Sequence, residues 1–272
     1  MMRNQEQGSR DDMIFDIVVR SYIETAEPVG SRTISRRYGV GLSPASIRNV
    51  MADLEEQGLL SQPHTSAGRV PTDRGYRYWV DSLMRPEELA AKEKEWIGRE
   101  LQEAKTIEDL AEKVSKIISQ ITGNAALFYL RNLKRVSFLS YLLDELVEAH
   151  RLVDFLEEEP ELYIEGAVRV FQQPEFQDLE KMRSLLQAFD EEGDFLQVFV
   201  KDLEEEGVHV HIGSENEGDR LEDVSLVVKD CYLGRMPIGG VAVVGPTRMK
   251  YPKVMSVVDY VADSLTEIAR RF

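Results

Sequence analysis

The sequence predicts an α+β fold in which an N-terminal winged helix-turn-helix is followed by a connecting helix and a C-terminal α/β domain. Two short helical patterns joined by a glycine-containing turn occupy residues 31–57, as in a helix-turn-helix. Residues 87–122 contain no proline and are rich in Glu, Lys, Ala and Leu, which favours a long helix. Strand-like segments and a closing helical pattern follow, which is typical of an α+β domain. The predicted domains are residues 1–86, 87–122 and 123–272.

The first two helices are predicted from their start and stop signals. A first helix is expected to begin at Asp11 or Asp12 and to end near Thr25. Ser31 is expected to cap a second, short helix, and Gly41 belongs to the tight turn into the third helix. The second and third helices of the chain form this motif. The second helix of a helix-turn-helix lies in the major groove of DNA, and here that is the third helix of the chain.

The third helix has the clearest pattern. Ser43 is a good N-cap, Pro44 suits the first helical position, and Gly58 ends the helix. The residues of its apolar face recur at helical spacing and are Ile47, Val50, Met51 and Leu54. The opposite face is therefore expected to be exposed.

That exposed face carries the residues predicted to read DNA bases. Arg48 and Asn49 have paired donors and acceptors that match guanine and adenine edges, and small neighbours let the helix enter a groove. An ordinary amphipathic helix, with Arg48 paired to Asp53 or Glu55, is the alternative. The candidate base-facing residues are Ala45, Ser46, Arg48 and Asn49.

The polar segment after the third helix is predicted to be a wing. Residues 59–63 and 70–72 are its expected strands, and hydroxyl, imidazole and guanidinium groups lie between them. Such groups suit contacts with phosphate or the minor groove. The candidate wing residues are His64, Thr65 and Arg69, and the residues predicted to contact the DNA backbone are Arg32, Thr33, Arg36 and Ser43. His64 as an ordinary turn residue stays an alternative.

The charge distribution is compatible with DNA binding despite a net charge of −16. Residues 1–86 hold 11 Lys and Arg against 11 Asp and Glu, so the acidic excess lies entirely in the remainder. Residues 31–77 contain seven arginines and only four acidic residues. A local basic surface binds phosphate, and the acidic remainder is expected to oppose nonspecific DNA binding.

The remainder of the chain is predicted to alternate helices and strands. A stripe of Leu110, Val114, Ile117 and Ile121 is expected to be either intramolecular core or a dimer contact. Strands are predicted at residues 125–130, 208–212, 224–231 and 238–244, and helices at 137–157, at two places within 178–206, and at 251–272.

Several classes of function are not indicated. No apolar run reaches membrane-spanning length, the N-terminus lacks a signal-peptide pattern, and one cysteine suits the cytoplasm. His209 and His211 share one strand face without further spaced ligands, so no metal is predicted. We see no nucleophile–base–acid constellation, and Cys231 suits a buried apolar role. We therefore expect neither an enzyme nor a cofactor.

Long motifs at both ends of the chain resemble the family of heat-inducible transcription repressors called HrcA. They are EPVGSRTIS, SPASIRNVMADLEEQGLLSQPHTSAGRVPTDRGYRYWVD, ELYIEGA, QPEF, IGSEN, IGGVAVVGPTRMKYPKV and VVDYVADSL. The resemblance implies a homodimer that binds an inverted-repeat operator, called CIRCE, upstream of chaperone genes. It also implies dependence on the GroE chaperonin.

The same resemblance implies that the C-terminal domain is GAF-like and contains an inserted dimerisation domain. Family members are usually longer, and this chain is predicted to be shortened near residues 131–145. An incomplete sheet and a weaker dimer are the expected consequences. A transcription regulator that senses a small molecule through the GAF-like domain is the alternative function.

Overall fold

The computed structural model describes residues 2–130, 161–191, 207–216, 220–233 and 236–268, together with positions 193, 195, 196 and 198. The N-terminal elements are α1 (Met2–Thr25), α2 (Ser31–Arg37), α3 (Pro44–Glu56), β1 (Leu60–Ser61), β2 (Val70–Pro71) and α4 (Asp73–Tyr78), which a π-helical turn (Trp79–Leu83) extends. The later elements are α5 (Ala91–Gln102), α6 (Ile107–Thr122), β3 (Ala125–Leu130), β4 (Glu161–Glu165), α7 (Ala167–Phe171), α8 (Leu179–Glu191), β5 (His209–Ile212), β6 (Val224–Leu233), β7 (Met236–Pro246) and α9 (Tyr251–Ile268).

The first two helices differ from the prediction at their N-termini. Helix α1 ends at Thr25 as predicted but begins at Met2, because no proline precedes Pro28 to stop the helix from extending towards the N-terminus. Gly30, rather than Ser31, occupies the N-cap of α2, and no side chain caps this helix. The predicted N-cap at Ser31 is therefore wrong by one residue.

Helix α3 confirms the predicted caps and the predicted apolar face. The Ser43 hydroxyl accepts a hydrogen bond from the Ser46 N–H at 3.1 Å, and Pro44 is the first helical residue. Gly58 follows the helix with φ of +73°, which is the left-handed conformation that glycine adopts without strain. All four predicted core residues, Ile47, Val50, Met51 and Leu54, are buried.

The predicted single connecting helix is wrong, because residues 87–122 contain two helices. Helix α5 ends at Gln102, and α6 begins after Thr106, whose hydroxyl accepts a hydrogen bond from the Asp109 N–H at 3.1 Å. A capped N-terminus starts a new helix rather than continuing the old one. Helix α6 then packs between β3 and α9. The stripe considered as a dimer contact is core of the same chain: Leu110, Val114 and Ile117 are buried, and Ile121 is partly buried against them.

Among the described residues of the C-terminal region, five antiparallel strands form one sheet in the order β4-β3-β7-β6-β5. The four predicted strands are confirmed with small shifts at their ends, whereas β4 was not predicted. Phe128 in the β3 strand faces Tyr163 of β4 on one side and Val241 of β7 on the other. The helix predicted at 137–157 lies outside the described residues.

The two sheet faces are covered by different helices. Alternate strand residues such as Phe128 and Val241 pack towards α6 and α9, whereas Leu127 and Ala242 belong to the cluster formed with α7 and α8. The first of these clusters extends without interruption into the core of the winged helix. The α+β class, with N-terminal helices and a C-terminal sheet, is confirmed. The domain boundaries at residues 86 and 122 stay predictions.

Candidate nucleic-acid interface

The outer face of α3 is free to enter a groove. Ala45, Ser46, Arg48 and Asn49 are all exposed, while the apolar face of the same helix is buried. Glu55, one of the two acidic partners considered for Arg48, forms its ion pair with Arg69 instead. The arrangement therefore presents a guanidinium and a carboxamide side by side on an exposed helix, which is the chemistry of base-edge recognition.

Helix α2 and the turn after it frame the N-terminus of α3. Arg32, Thr33 and Arg36 are exposed on α2. The Ser35 hydroxyl donates to the carbonyl of Leu42 at 3.2 Å, which holds α2 against the turn. The Ser43 hydroxyl lies 3.0 Å from the Ser46 hydroxyl in addition to capping α3. Ser43 thus shapes the helix start, whatever it contacts on DNA.

The wing has an ordered tip. The Gln62 carboxamide donates to the carbonyls of Thr65 at 2.9 Å and Ala67 at 3.0 Å. The Ala67 N–H donates to the His64 carbonyl at 2.8 Å, which closes a turn at the tip. The side chains of His64 and Thr65 are left exposed. Sequence analysis did not single out Gln62, because its carbonyl partners are defined only once the hairpin has formed.

Arg69 does not lie at the hairpin tip, and this expectation is corrected. Its backbone pairs with Val29 at the base of the wing, with nitrogen-to-oxygen distances of 2.9 Å in both directions. Its guanidinium forms an ion pair with Glu55 at 2.8 Å, and only 17% of its side chain is exposed. Since Glu55 lies on α3, Arg69 links the wing to the recognition helix rather than projecting into solvent.

Helix α4 fixes the winged helix on the sheet domain. The Arg77 guanidinium donates to Glu215 at 2.9 Å through Nε, to Asp81 at 3.1 Å, and also to the carbonyl of Val210. Burial alone would raise the pKa of Glu215, but hydrogen bonds from Arg77 and from the Ile212 N–H outweigh it and hold that pKa below its usual value. Arg77 thus serves the domain junction and is not available to DNA.

One turn earlier on α4, the Asp73 side chain reinforces this junction through close contacts with Gly213 and Ser214. The Asp73 carboxylate accepts hydrogen bonds from both the N–H and the hydroxyl of Ser214 at 3.0 Å. A Cβ atom at Gly213 would lie 2.4 Å from the Asp73 carboxylate, and Gly213 has φ of +52°. The left-handed φ and the nearby carboxylate both favour glycine at this position.

Aromatic rings complete the junction. The ring of Tyr251 lies 5.9 Å from that of Tyr76 and 6.5 Å from that of Trp79, measured between centroids. All three side chains are buried. Burial raises the pKa of Tyr251, and its hydroxyl lies 2.7 Å from that of Ser225 and donates to the Thr247 carbonyl at 2.6 Å. The orientation of the winged helix relative to the sheet is therefore set by these packed rings and by the hydrogen bonds of the Tyr251 hydroxyl.

Other kinds of site find little support in the described part of the chain. Across those residues, no group of three or more His, Cys, Asp or Glu is placed to hold a metal ion. Cys231 is buried, and burial raises the pKa of its thiol, so it is a core residue as predicted. None of the described helices combines the length and apolar character needed to cross a membrane.

A helix-turn-helix with an exposed second helix and an ordered wing defines the class of winged-helix, DNA-binding transcription regulators. Comparison with known proteins then identifies the family. Residues 129–255 match the family model for the HrcA protein C-terminal domain. The chain is similar to the heat-inducible transcription repressor HrcA of Desulforudis audaxviator (strain MP104C), with 33% identity over 96% of this chain and 98% of that protein. It is also similar to the same repressor of Pelotomaculum thermopropionicum, with 32% identity over 96% of this chain and 97% of that protein. The chain belongs to the HrcA family of heat-inducible transcription repressors.

The comparisons also bear on the fold. A solved structure at 2.2 Å resolution, described as a hypothetical protein, is similar with a TM-score of 0.69 at 21% identity, over 95% of this chain and 97% of that chain. That the chain is shorter than its relatives stays a prediction. The predicted place of the shortening, near residues 131–145, lies outside the described residues.

Proposed function

We propose that this protein represses transcription of heat-shock chaperone genes by binding an inverted-repeat, CIRCE-type operator as a dimer. The observation that carries the proposal is the exposed pair Arg48 and Asn49 on a recognition helix whose opposite face is buried. Base reading is assigned to Ser46, Arg48 and Asn49, with Ala45 allowing close approach. Backbone contacts are assigned to Arg32, Thr33, Arg36 and Ser43, and wing contacts to His64 and Thr65. The protein acts in the cytoplasm and catalyses no reaction.

Dimerisation is part of the proposal because one winged helix reads only half of an inverted repeat. A single module also buries too little surface for tight operator binding at physiological salt. With the α6 stripe buried in its own core, the dimer contacts lie elsewhere, and we expect a weaker dimer than in longer relatives. Sedimentation over a range of concentrations measures this. A dimer that persists unchanged at the lowest concentration would contradict the expected weakness.

The operator test is a fluorescence-anisotropy titration of the full chain. The duplexes are an intact inverted repeat, a single half-site and a scrambled sequence, each titrated with and without GroE chaperonin. We expect tight binding only to the intact repeat, and stronger binding when chaperonin is present. Equal affinity for all three duplexes would refute sequence-specific repression.

A small-molecule sensor is the second candidate function, and one observation favours it. A cavity of about 490 Å³ lies where the end of α1, the end of α6 and the start of α9 meet. Its lining includes Arg248, Lys250 and Lys253 together with the carboxylates of Glu24 and Glu87. Arg248 and Lys253 already form ion pairs with glutamates, so Lys250 is the cation tested here. A ligand held there would contact both the winged helix and the sheet domain. A thermal-shift screen of small anions tests this idea, with Lys250→Ala as the matched variant. A shift that survives this variant would locate binding elsewhere.

A further inference from the structure

We infer that Gln62 and the Glu55–Arg69 ion pair are positioning residues that fix the wing relative to α3. The wing tip and the recognition helix then meet DNA as one rigid unit. This inference rests on the DNA-binding function proposed above, and it adds residues that do not themselves touch DNA. Three separate attachments support it, at the tip, at the base and across to the recognition helix.

At the tip, a single side chain defines the loop shape. Both protons of the Gln62 amide are used, one on the Thr65 carbonyl and one on the Ala67 carbonyl. A two-stranded hairpin of this size is marginally stable alone, and β1 and β2 pair through only two residues each. The Gln62 amide therefore replaces strand hydrogen bonds that the short wing lacks.

At the base, the hairpin is fastened to the loop between α1 and α2. A Cβ atom at Gly68 would lie 2.4 Å from both the carbonyl carbon and the oxygen of Val29. The neighbouring residue, Arg69, exchanges two backbone hydrogen bonds with Val29. The wing base consequently cannot slide without breaking backbone contacts to the helix-turn-helix.

Across to α3, the guanidinium of Arg69 holds Glu55 at 2.8 Å, with 17% and 36% of the two side chains exposed. Two roles are conceivable for this pair, and they predict opposite changes in operator affinity when the Glu55 charge is removed. If the pair positions the wing, removing the Glu55 charge weakens operator binding. If Arg69 is a phosphate contact that Glu55 merely competes for, removing that charge strengthens binding.

The deciding experiment compares Glu55→Gln with Glu56→Gln in the full chain. Glu56 is the adjacent exposed residue, so both variants remove one negative charge from the same helix end. We expect Glu55→Gln to bind the inverted repeat about 3–10-fold more weakly than Glu56→Gln, as for the loss of one hydrogen-bonded pair. The slope of log K against log salt should stay unchanged in Arg69→Gln, because no phosphate contact is lost. Equal or tighter binding by Glu55→Gln, or a slope shallower by about one unit in Arg69→Gln, would overturn the inference.

A second arm needs no DNA and so separates this inference from the proposed function. The protection factor of the Ala67 N–H in the free protein, which corrects for the intrinsic exchange rate of each sequence, should fall in Gln62→Ala. It should stay at the wild-type value in Ser66→Ala, an exposed control at the same tip. Unchanged exchange in Gln62→Ala would overturn the role of Gln62. Failure of the wild-type chain to prefer the inverted repeat would overturn the proposed function instead.

Discussion

Arg77→Ala should weaken the junction between the winged helix and the sheet domain at a measurable cost in stability. The substitution removes hydrogen bonds to the two Glu215 oxygens at 2.9 Å and 2.5 Å, together with a donor to the Val210 carbonyl. Hydrogen bonds to charged groups contribute about 1.5–3 kcal/mol each when shielded. Since about a third of each side chain is exposed, solvent screening reduces this, and the Asp81 pair adds little. We expect a net loss of about 2–3 kcal/mol in the free energy of unfolding.

The assay is urea unfolding followed by tryptophan fluorescence. The chain has two tryptophans, so a Trp96→Phe background leaves Trp79, which lies in the junction, as the reporter. The matched control is Arg74→Ala, an exposed arginine on the same helix, for which we expect a change within about 0.5 kcal/mol. A double-mutant cycle with Glu215→Ala isolates the pair. Equal destabilisation by the Arg77 and Arg74 variants, or a coupling energy near zero, would refute the assigned role of the ion pair.

The remaining predictions concern base reading, backbone strain and acid sensitivity. Arg48→Ala should lose about 1–3 kcal/mol of binding free energy for the operator and less for a scrambled duplex. Equal losses in titrations of the two duplexes would show that Arg48 contacts only phosphate. Gly166→Ala should cost about 2–3 kcal/mol in chemical unfolding, because φ is +76° and the new Cβ would lie 1.9 Å from the Ser119 hydroxyl. The unobstructed Gly98→Ala in α5 should instead stabilise by about 0.5–1 kcal/mol. Because the pKa of Glu215 is lower in the folded state, its ionised form stabilises the fold at pH values above the unfolded-state pKa of about 4.3. This stabilisation is lost as the pH falls through the folded-state pKa. The stability difference between wild type and Glu215→Gln should therefore shrink in unfolding curves on acidification below about pH 4.

Local signals predicted the recognition helix, whereas contacts distant in sequence escaped prediction. Ser43 and Gly58 mark the ends of α3 through chemistry that acts within a few residues, so the sequence alone suffices there. The break between α5 and α6 had an equally local signal, since Thr106 followed by Asp109 is a helix start. The helix-favouring composition of residues 87–122 masks that cap in the sequence.

The partner of Arg69 had no such local signal. Glu55 reaches it only because the wing folds back on α3, so a lone arginine between a glycine and a valine was interpreted as a tip residue. Strand β4 was missed for a related reason. Its five residues form an edge strand whose partner β3 ends at residue 130, so the pairing depends on a contact distant in sequence.

The unbroken core between the winged helix and the sheet links DNA occupancy to the stability of distant elements. Ile47 beneath the recognition helix and Val258 in α9 belong to one buried cluster. Elements that share a core tend to open together, so free energy gained at the DNA surface protects amides in α9 as well. At a hundredfold excess of operator over its dissociation constant, this protection amounts to about 2.7 kcal/mol. The converse also holds: heating that opens the packing of α9 against the sheet disorganises α3 as well. Repression and resistance to thermal unfolding then both depend on the folding equilibrium of this shared core.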